Sequence, residues 1–179
     1  MALIPVTVTG VQVEQNTGAP VMLLREDSAP HRILPIFVGP AEARSISVAM
    51  AGLEPPRPGT HDLMMTTLES MGSTLTEVDV TELRDGTFIA ELVLHNDAGE
   101  VRISSRPSDA VALAVRCGAP VFAADAVLAE AGIVEQDESE PADEAAVVEL
   151  SQEEIDATVE QLEDFLASFE DPGDEPPTS

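Results

Sequence analysis

Apolar and polar residues alternate along several short segments of the chain, and a period of two is the pattern of a half-buried β-strand. In residues 4–13 the alternation is interrupted at Gly10, which predicts a bulge or a break in that strand. An Asp85-Gly86 pair between two alternating segments predicts a tight hairpin turn. Further strands are predicted at short apolar or alternating segments, at residues 21–25, 32–38, 74–83, 87–95, 101–104 and 121–123.

Other segments follow the helical period, in which every third or fourth residue is apolar. In residues 107–117 a face of small apolar residues is formed by Ala110, Leu113, Ala114 and Cys117. Pro107 suits the first turn of this helix, and Gly118 ends it. Further helices are predicted at residues 40–51, 61–71 and 125–131.

The order of these elements repeats along the chain with an offset of about 67 residues. When the sequence is aligned with itself at this offset, Pro40 aligns with Pro107 and Glu42 aligns with Asp109. Each copy consists of three strands followed by a helix that begins with proline and has a carboxylate two residues later. The sequence therefore predicts one compact α+β domain at residues 1–134, made of two β-β-β-α copies. Their strands are expected to form a mixed or antiparallel sheet with packed helices.

A stiff proline-rich segment at residues 54–59 precedes the helix predicted at 61–71. Such a segment can be neither helix nor strand. Because it is stiff, it restrains the direction in which the chain enters the helix. Met64, Leu68 and Met71 lie on one side of that helix, and we expect them to fill part of the core.

The composition changes sharply after residue 134. Residues 135–150 are rich in acidic side chains and predict a solvated linker. Ser151 and Glu154 form a capping box, and an apolar stripe then predicts one amphipathic helix at residues 151–170. Residues 171–179 are predicted to be a disordered tail. We expect the amphipathic helix to dock on the domain, to dimerise or to bind a partner protein.

The net charge of the chain is −26, and lysine is absent. Residues 135–179 hold 17 acidic residues and no basic residue, so all eight arginines belong to the domain. A chain this acidic is not a simple nucleic-acid binder, because phosphate neutralisation by Lys and Arg supplies most of that affinity. A polyanionic substrate would need local arginines or bridging metal cations.

The N-terminus has no basic region followed by a long apolar run, so a signal peptide is not predicted. No segment is apolar for long enough to predict a membrane span. Cys117 is the only cysteine and is expected to be a small buried hydrophobic residue, with a reactive thiol as the alternative. These features predict a cytoplasmic protein with no membrane partner.

Three segments, taken together and in this order, resemble the bifunctional nuclease family: LPIFVGPAEA at residues 34–43, EPPRPGTHDL at 54–63 and SRPSDAVALA at 105–114. The resemblance covers residues 1–134. It implies a compact α+β domain that self-associates, and an enzyme that cleaves both DNA and RNA. Some members add a C-terminal helical module related to excision-repair proteins, which the acidic tail of this chain does not resemble.

Five residues of these segments have side chains suited to phosphodiester hydrolysis: Glu42, His61, Asp62, Arg106 and Asp109. Carboxylates that hold Mg²⁺ or Mn²⁺ are a common means of neutralising a reacting phosphate. The candidate metal ligands are therefore Asp109, Glu42 and Asp62. The candidate catalytic residues are Asp109, Arg106, His61 and Asp62. Arg106 is expected to bind a phosphate, and His61 to act as a general acid or a metal ligand.

Four of the five candidates also have a structural interpretation. Glu42 and Asp109 can offset the helix macrodipole and cap a first-turn amide, Arg106 can form an ion pair, and His61 can be an exposed first-turn residue. Two functional hypotheses follow from these alternatives. The first is a divalent-metal-dependent nuclease that acts on DNA and RNA with little sequence preference. The second is a non-catalytic regulatory or scaffold domain that binds a protein or a small anion.

Overall fold

A computed structural model describes residues 2–134 of the chain. The predicted acidic linker at 135–150, the amphipathic helix at 151–170 and the tail at 171–179 lie outside the described residues. Within the described part, no helix is both long enough and apolar enough to cross a membrane.

The described residues form eight strands and four helices, which are named here in chain order. The strands are β1 (Leu3–Val13), β2 (Pro20–Glu26), β3 (Arg32–Phe37), β4 (Thr74–Arg84), β5 (Thr87–Asn96), β6 (Gly99–Ser105), β7 (Val121–Ala124) and β8 (Ile133–Val134). The helices are α1 (Pro40–Met50), α2 (Thr60–Ser70), α3 (Pro107–Cys117) and α4 (Asp125–Ala131).

All eight strands belong to one mixed sheet with the order β6-β5-β4-β7-β1-β2-β3-β8. The pairing of β4 with β7 is parallel, and every other neighbouring pair is antiparallel. Helices α1 and α3 contact one another and also contact strands of the sheet. The predicted α+β class is therefore confirmed.

The predicted internal repeat is confirmed by the order and geometry of the elements. Strands β1 to β3 with α1 form one copy, and strands β4 to β6 with α3 form the other. When the sequence is aligned with itself so that Pro40 matches Pro107, the first and last residues of α1 match those of α3. The same shift superposes the bulge between Val8 and Gly10 on the bulge between Leu75 and Glu77. The two copies therefore flank β7 in the middle of the sheet.

The core is built from aliphatic residues, and α3 is its most buried helix. Met22, Leu24 and Leu34 from the first copy are fully buried, as are Ile46 of α1 and Leu113 of α3. Small side chains on α3 allow its backbone to approach the sheet closely, because little volume lies between them. This close packing fixes the start of α3, where two of the predicted site residues lie.

Two expectations about buried side chains were wrong. Met64 and Met71 are exposed, because the inward side of α2 is formed by His61, Met65 and Leu68. Sequence patterning missed this face because its first member is a polar histidine. Cys117 is also exposed, since it lies in the last turn of α3, where its thiol donates to the carbonyl oxygen of Leu113.

An ion pair with a buried carboxylate lies on the sheet face opposite the core. Val78 and Val80 of β4 belong to the core, so Asp79 between them faces the other side, where it is 0% exposed. Nη1 of Arg102 on β6 donates to Asp79 Oδ2 at 2.8 Å. Burial and the neighbouring Asp79 carboxylate raise the pKa of Glu77. The guanidinium of Arg102 therefore compensates the negative charge of the buried Asp79 carboxylate.

Candidate functional site

A pocket of about 510 Å³ lies among α1, α2, α3 and the proline-rich segment that precedes α2. All five residues proposed from the sequence line it: Glu42, His61, Asp62, Arg106 and Asp109. They come from three helix starts that are far apart in the chain. The repeat brings α1 and α3 together, and the proline-rich segment places the start of α2 beside them.

The repeat explains why two carboxylates meet at this pocket. Glu42 and Asp109 each occupy the third position of their helix, after Pro40 and Pro107. The residues that precede these prolines differ, since Gly39 precedes α1 and Arg106 precedes α3. A side chain at position 39 would meet the Glu42 carboxylate, which accepts a hydrogen bond from its own backbone amide. The first copy therefore contributes the Glu42 carboxylate to the pocket, and the second copy contributes the Asp109 carboxylate and Arg106.

Arg106 joins the two carboxylates. Its Nε donates to Asp109 Oδ2 at 2.7 Å, and its Nη2 donates to Asp109 Oδ1 at 3.1 Å. The same Nη2 donates to Glu42 Oε1 at 2.7 Å. The arginine side chain is nevertheless 66% exposed, and within residues 2–134 its Nη1 has no hydrogen-bond partner. The guanidinium is thus held in place on one side and open to solvent on the other.

His61 is held at both ring nitrogens and is only 11% exposed. Its Nε2 lies 3.2 Å from Asp109 Oδ1, and its Nδ1 lies 2.9 Å from the hydroxyl oxygen of Ser45. That hydroxyl accepts a hydrogen bond from Arg116 Nη2 at 3.0 Å, so its own proton is available to Nδ1. The arrangement allows the imidazole to accept at Nδ1 and to donate from Nε2 to Asp109.

Asp62 lies at the opposite end of the same hydrogen-bond network. Arg116 Nε donates to its Oδ1 at 2.6 Å, and the backbone amide of Gly59 donates to its Oδ2 at 2.7 Å. One continuous series of hydrogen bonds therefore crosses the pocket through Asp62, Arg116, Ser45, His61, Asp109, Arg106 and Glu42.

Sequence reasoning missed Ser45 and Arg116. Ser45 follows Glu42 by three positions, and Arg116 follows Asp109 by seven, so each shares a helix face with a predicted residue. Helical spacing counted from the two carboxylates would have identified both. A basic residue in the last turn of a helix is common for reasons of the macrodipole alone, so Arg116 by itself is a weak signal of a site.

Hydrogen bonds in this network keep its carboxylates ionised. The backbone amide and Arg106 lower the pKa of Glu42. Arg116 and the Gly59 amide lower the pKa of Asp62. For Asp109, burial acts to raise the pKa, but the hydrogen bonds from Arg106 and His61 outweigh it, so the pKa is lowered.

These shifts predict how Arg106 contributes to stability as the pH changes. A carboxylate with a lowered pKa stabilises the fold fully above its ordinary value, which is 4.5 for Glu42 and 3.8 for Asp109. That stability is lost as the pH falls through the folded-state pKa. Urea unfolding between about pH 7 and pH 3 should therefore show wild type more stable than Arg106→Gln above about pH 5, with the difference shrinking below about pH 4. A difference that stays constant across this range would contradict the prediction.

The three predicted metal ligands do not form a shared metal-binding cluster as they lie in the structure. No group of three or more His, Cys, Asp or Glu side chains within residues 2–134 is arranged to hold a metal ion. Arg106 Nη2 lies between Glu42 and Asp109, and Asp62 binds Arg116 and the Gly59 amide. The ligand set Asp109, Glu42 and Asp62 stays a prediction.

The fold and the pocket define a class of protein. It is an α+β domain with a duplicated β-β-β-α unit, in which an arginine is held by carboxylates at the starts of two equivalent helices. The family model described as the bifunctional nuclease domain matches residues 22–136, and the chain belongs to this family. The resemblance inferred from the three sequence segments is thereby confirmed.

Relatives are found in bacteria and in plants. An uncharacterized protein of Mycobacterium tuberculosis strain H37Rv is 42% identical over 163 residues, which cover 91% of this chain and 93% of that protein. Bifunctional nuclease 1 of Arabidopsis thaliana is 30% identical over 105 residues, covering 57% of this chain and 32% of that protein. Bifunctional nuclease 1 of Oryza sativa subsp. japonica is 27% identical over 117 residues, covering 57% and 35%. This chain therefore matches about a third of each plant protein.

Proposed function

We propose that the domain hydrolyses phosphodiester bonds of DNA and RNA with little sequence specificity, at the pocket among α1, α2 and α3. The family and the names of the plant relatives support nuclease chemistry. One observation carries the assignment to this pocket: Arg106 is oriented by Glu42 and Asp109, yet exposes Nη1 to solvent. A pre-oriented guanidinium suits the binding of a tetrahedral phosphate, because the two N–H groups of Nη1 are left to donate to phosphate oxygens.

In this proposal Arg106 binds non-bridging oxygens of the scissile phosphate and offsets the charge that develops there. A water molecule adds to phosphorus and gives up one proton, the bond to the leaving oxygen breaks, and that oxygen takes up a proton. His61 is the candidate for proton transfer, since imidazole is the side chain used most often for it. Asp109 orients both partners through its hydrogen bonds. Asp62 orients Arg116 and, through it, Ser45 and the imidazole.

A requirement for Mg²⁺ or Mn²⁺ is a separate part of the proposal, and no step above passes through a metal ion. Mg²⁺ often binds one or two carboxylates together with substrate phosphates rather than a complete protein cage. Asp109 and Glu42 hold the arginine that is proposed to bind the phosphate, so we expect any cation to bind beside these two carboxylates together with substrate. Self-association, a cytoplasmic location and a partner for the helix at 151–170 stay predictions from the sequence.

The test is cleavage of end-labelled single-stranded DNA and RNA by the purified full-length protein, with Mg²⁺, with Mn²⁺ or with EDTA. Cleavage that co-elutes with the protein and is lost in EDTA supports a metal-dependent nuclease. Cleavage that persists in EDTA keeps the nuclease and removes the metal requirement. Binding of the oligonucleotides without cleavage under all three conditions would favour the alternative, a non-catalytic domain that binds an anion.

A further inference from the structure

Half of the arginines in this chain line one pocket. Arg44, Arg57, Arg106 and Arg116 all border the 510 Å³ cavity, and the chain has eight arginines and no lysine. The pocket carboxylates are Glu42, Asp62 and Asp109. The arginines therefore outnumber the carboxylates in this pocket, although the chain as a whole carries a net charge of −26.

Arg44 and Arg57 differ from the other arginines in their partners. Elsewhere in the described part of the chain, Arg32, Arg84 and Arg102 each bind at least one carboxylate, and so do Arg106 and Arg116 in the pocket. Neither Arg44 nor Arg57 has a hydrogen bond or an ion pair within residues 2–134, and both are exposed. Among the described residues, these two arginines are without a carboxylate partner at the same cavity, so their charge is available for a ligand.

The backbone directs both side chains to the pocket. On α1, Arg44 lies on the face that also carries Ala41, Ser45 and Val48, and all four line the cavity. Arg57 lies between Pro56 and Pro58, whose fixed φ angles stiffen the segment. Both cations are therefore presented from restrained backbone rather than from a flexible loop.

We propose that Arg44 and Arg57 form a second phosphate subsite beside Arg106, so that the pocket binds two successive phosphates of a single strand. This inference rests on the proposed phosphodiesterase function, because Arg106 is taken as the position of the scissile phosphate. A cavity of about 510 Å³ has the size of a small-molecule site, which admits a short single-stranded segment and not a duplex. Acidic surface elsewhere disfavours the broad phosphate contacts that duplex binding requires.

The test measures binding and cleavage separately with the full-length protein. Binding of a fluorescein-labelled hexathymidylate is followed by anisotropy in EDTA over a series of salt concentrations. The variants are Arg44→Gln, Arg57→Gln and the double variant. Arg84→Gln is the matched control, because it removes the same charge from an exposed arginine outside the pocket. Melting temperatures of all four variants verify that the fold is retained.

We expect each single pocket variant to reduce the slope of log K against log salt by about 0.7, and the double variant by about 1.4. The double variant should weaken hexathymidylate binding by about tenfold and raise KM with little change in kcat. Arg84→Gln should match wild type. Unchanged affinity and salt slope in the double variant would overturn the subsite, as would tighter binding of a duplex of equal length.

The outcomes also separate this inference from the proposed function. Binding that depends on Arg44 and Arg57, in a wild type that cleaves nothing, would keep the subsite and overturn the nuclease. Cleavage by wild type with an unchanged KM in the double variant would keep the nuclease and overturn the subsite. No binding of the probe by wild type would overturn the subsite directly.

Discussion

Asp109→Asn is expected to lower the rate of DNA and RNA cleavage by about 100-fold or more. The Asp109 carboxylate accepts from Arg106 Nε, Arg106 Nη2 and His61 Nε2. An asparagine amide has a single acceptor oxygen, and its NH₂ group would face N–H donors of these partners. The substitution therefore disturbs the phosphate-binding guanidinium and the proton-transfer imidazole together, with almost no change in side-chain volume.

The measurement is single-turnover cleavage of labelled single-stranded DNA and RNA by wild type and by Asp109→Asn, purified in parallel. Asp97→Asn is the matched control, because Asp97 is exposed in the turn between β5 and β6 and lies outside the pocket. We expect Asp97→Asn to cleave as wild type does, and both variants to unfold cooperatively. Equal cleavage by wild type and a folded Asp109→Asn would show that the activity does not arise at this pocket.

The parts of the site that the sequence predicted are those specified by local signals. Proline followed two residues later by a carboxylate occurs at the start of both α1 and α3, and the constant offset between Pro40 and Pro107 indicated that the two helices are equivalent. The structure brings Glu42 and Asp109 to the same pocket, as follows from the equivalence of the two helices in a two-copy sheet. The stiff proline-rich segment at residues 54–59 indicated that the start of the next helix, which carries His61, is held in a fixed direction.

The parts that escaped prediction depend on contacts between distant segments. No local pattern specifies that β7 lies between β4 and β1, because this short strand is placed by pairing with both copies. Arg106 was predicted either to bind a phosphate or to form an ion pair with Asp109 or a neighbouring acid. Its second partner, Glu42, is 64 residues away, and such a contact exists only once α1 and α3 are packed together. The inward position of His61 likewise depends on Ser45 and Asp109 from two other helices.

The largest loss of stability is expected from Arg102→Met, which should reduce the free energy of unfolding by about 2–4 kcal/mol. Methionine keeps much of the aliphatic stem but leaves the Asp79 carboxylate, which is 0% exposed, without its cation. Asp79 Oδ1 already has no partner within residues 2–134, and Glu77 and Glu91 lie nearby as further acids. Since Arg102 is itself 42% exposed, water can replace part of its effect, and the loss should fall below that of a fully buried pair.

Urea unfolding at about pH 7 of wild type, Arg102→Met and the double variant Asp79→Asn/Arg102→Met tests this account. The double variant removes the uncompensated charge and should recover about half of the lost free energy or more. Arg84→Met is the control for arginine removal, because Arg84 is 63% exposed and binds the exposed Glu82, so its loss should cost less than about 1 kcal/mol. If Arg102→Met costs no more than Arg84→Met, the buried carboxylate is compensated by something other than Arg102. If the double variant recovers nothing, the loss comes from the packing of the arginine stem rather than from the buried charge.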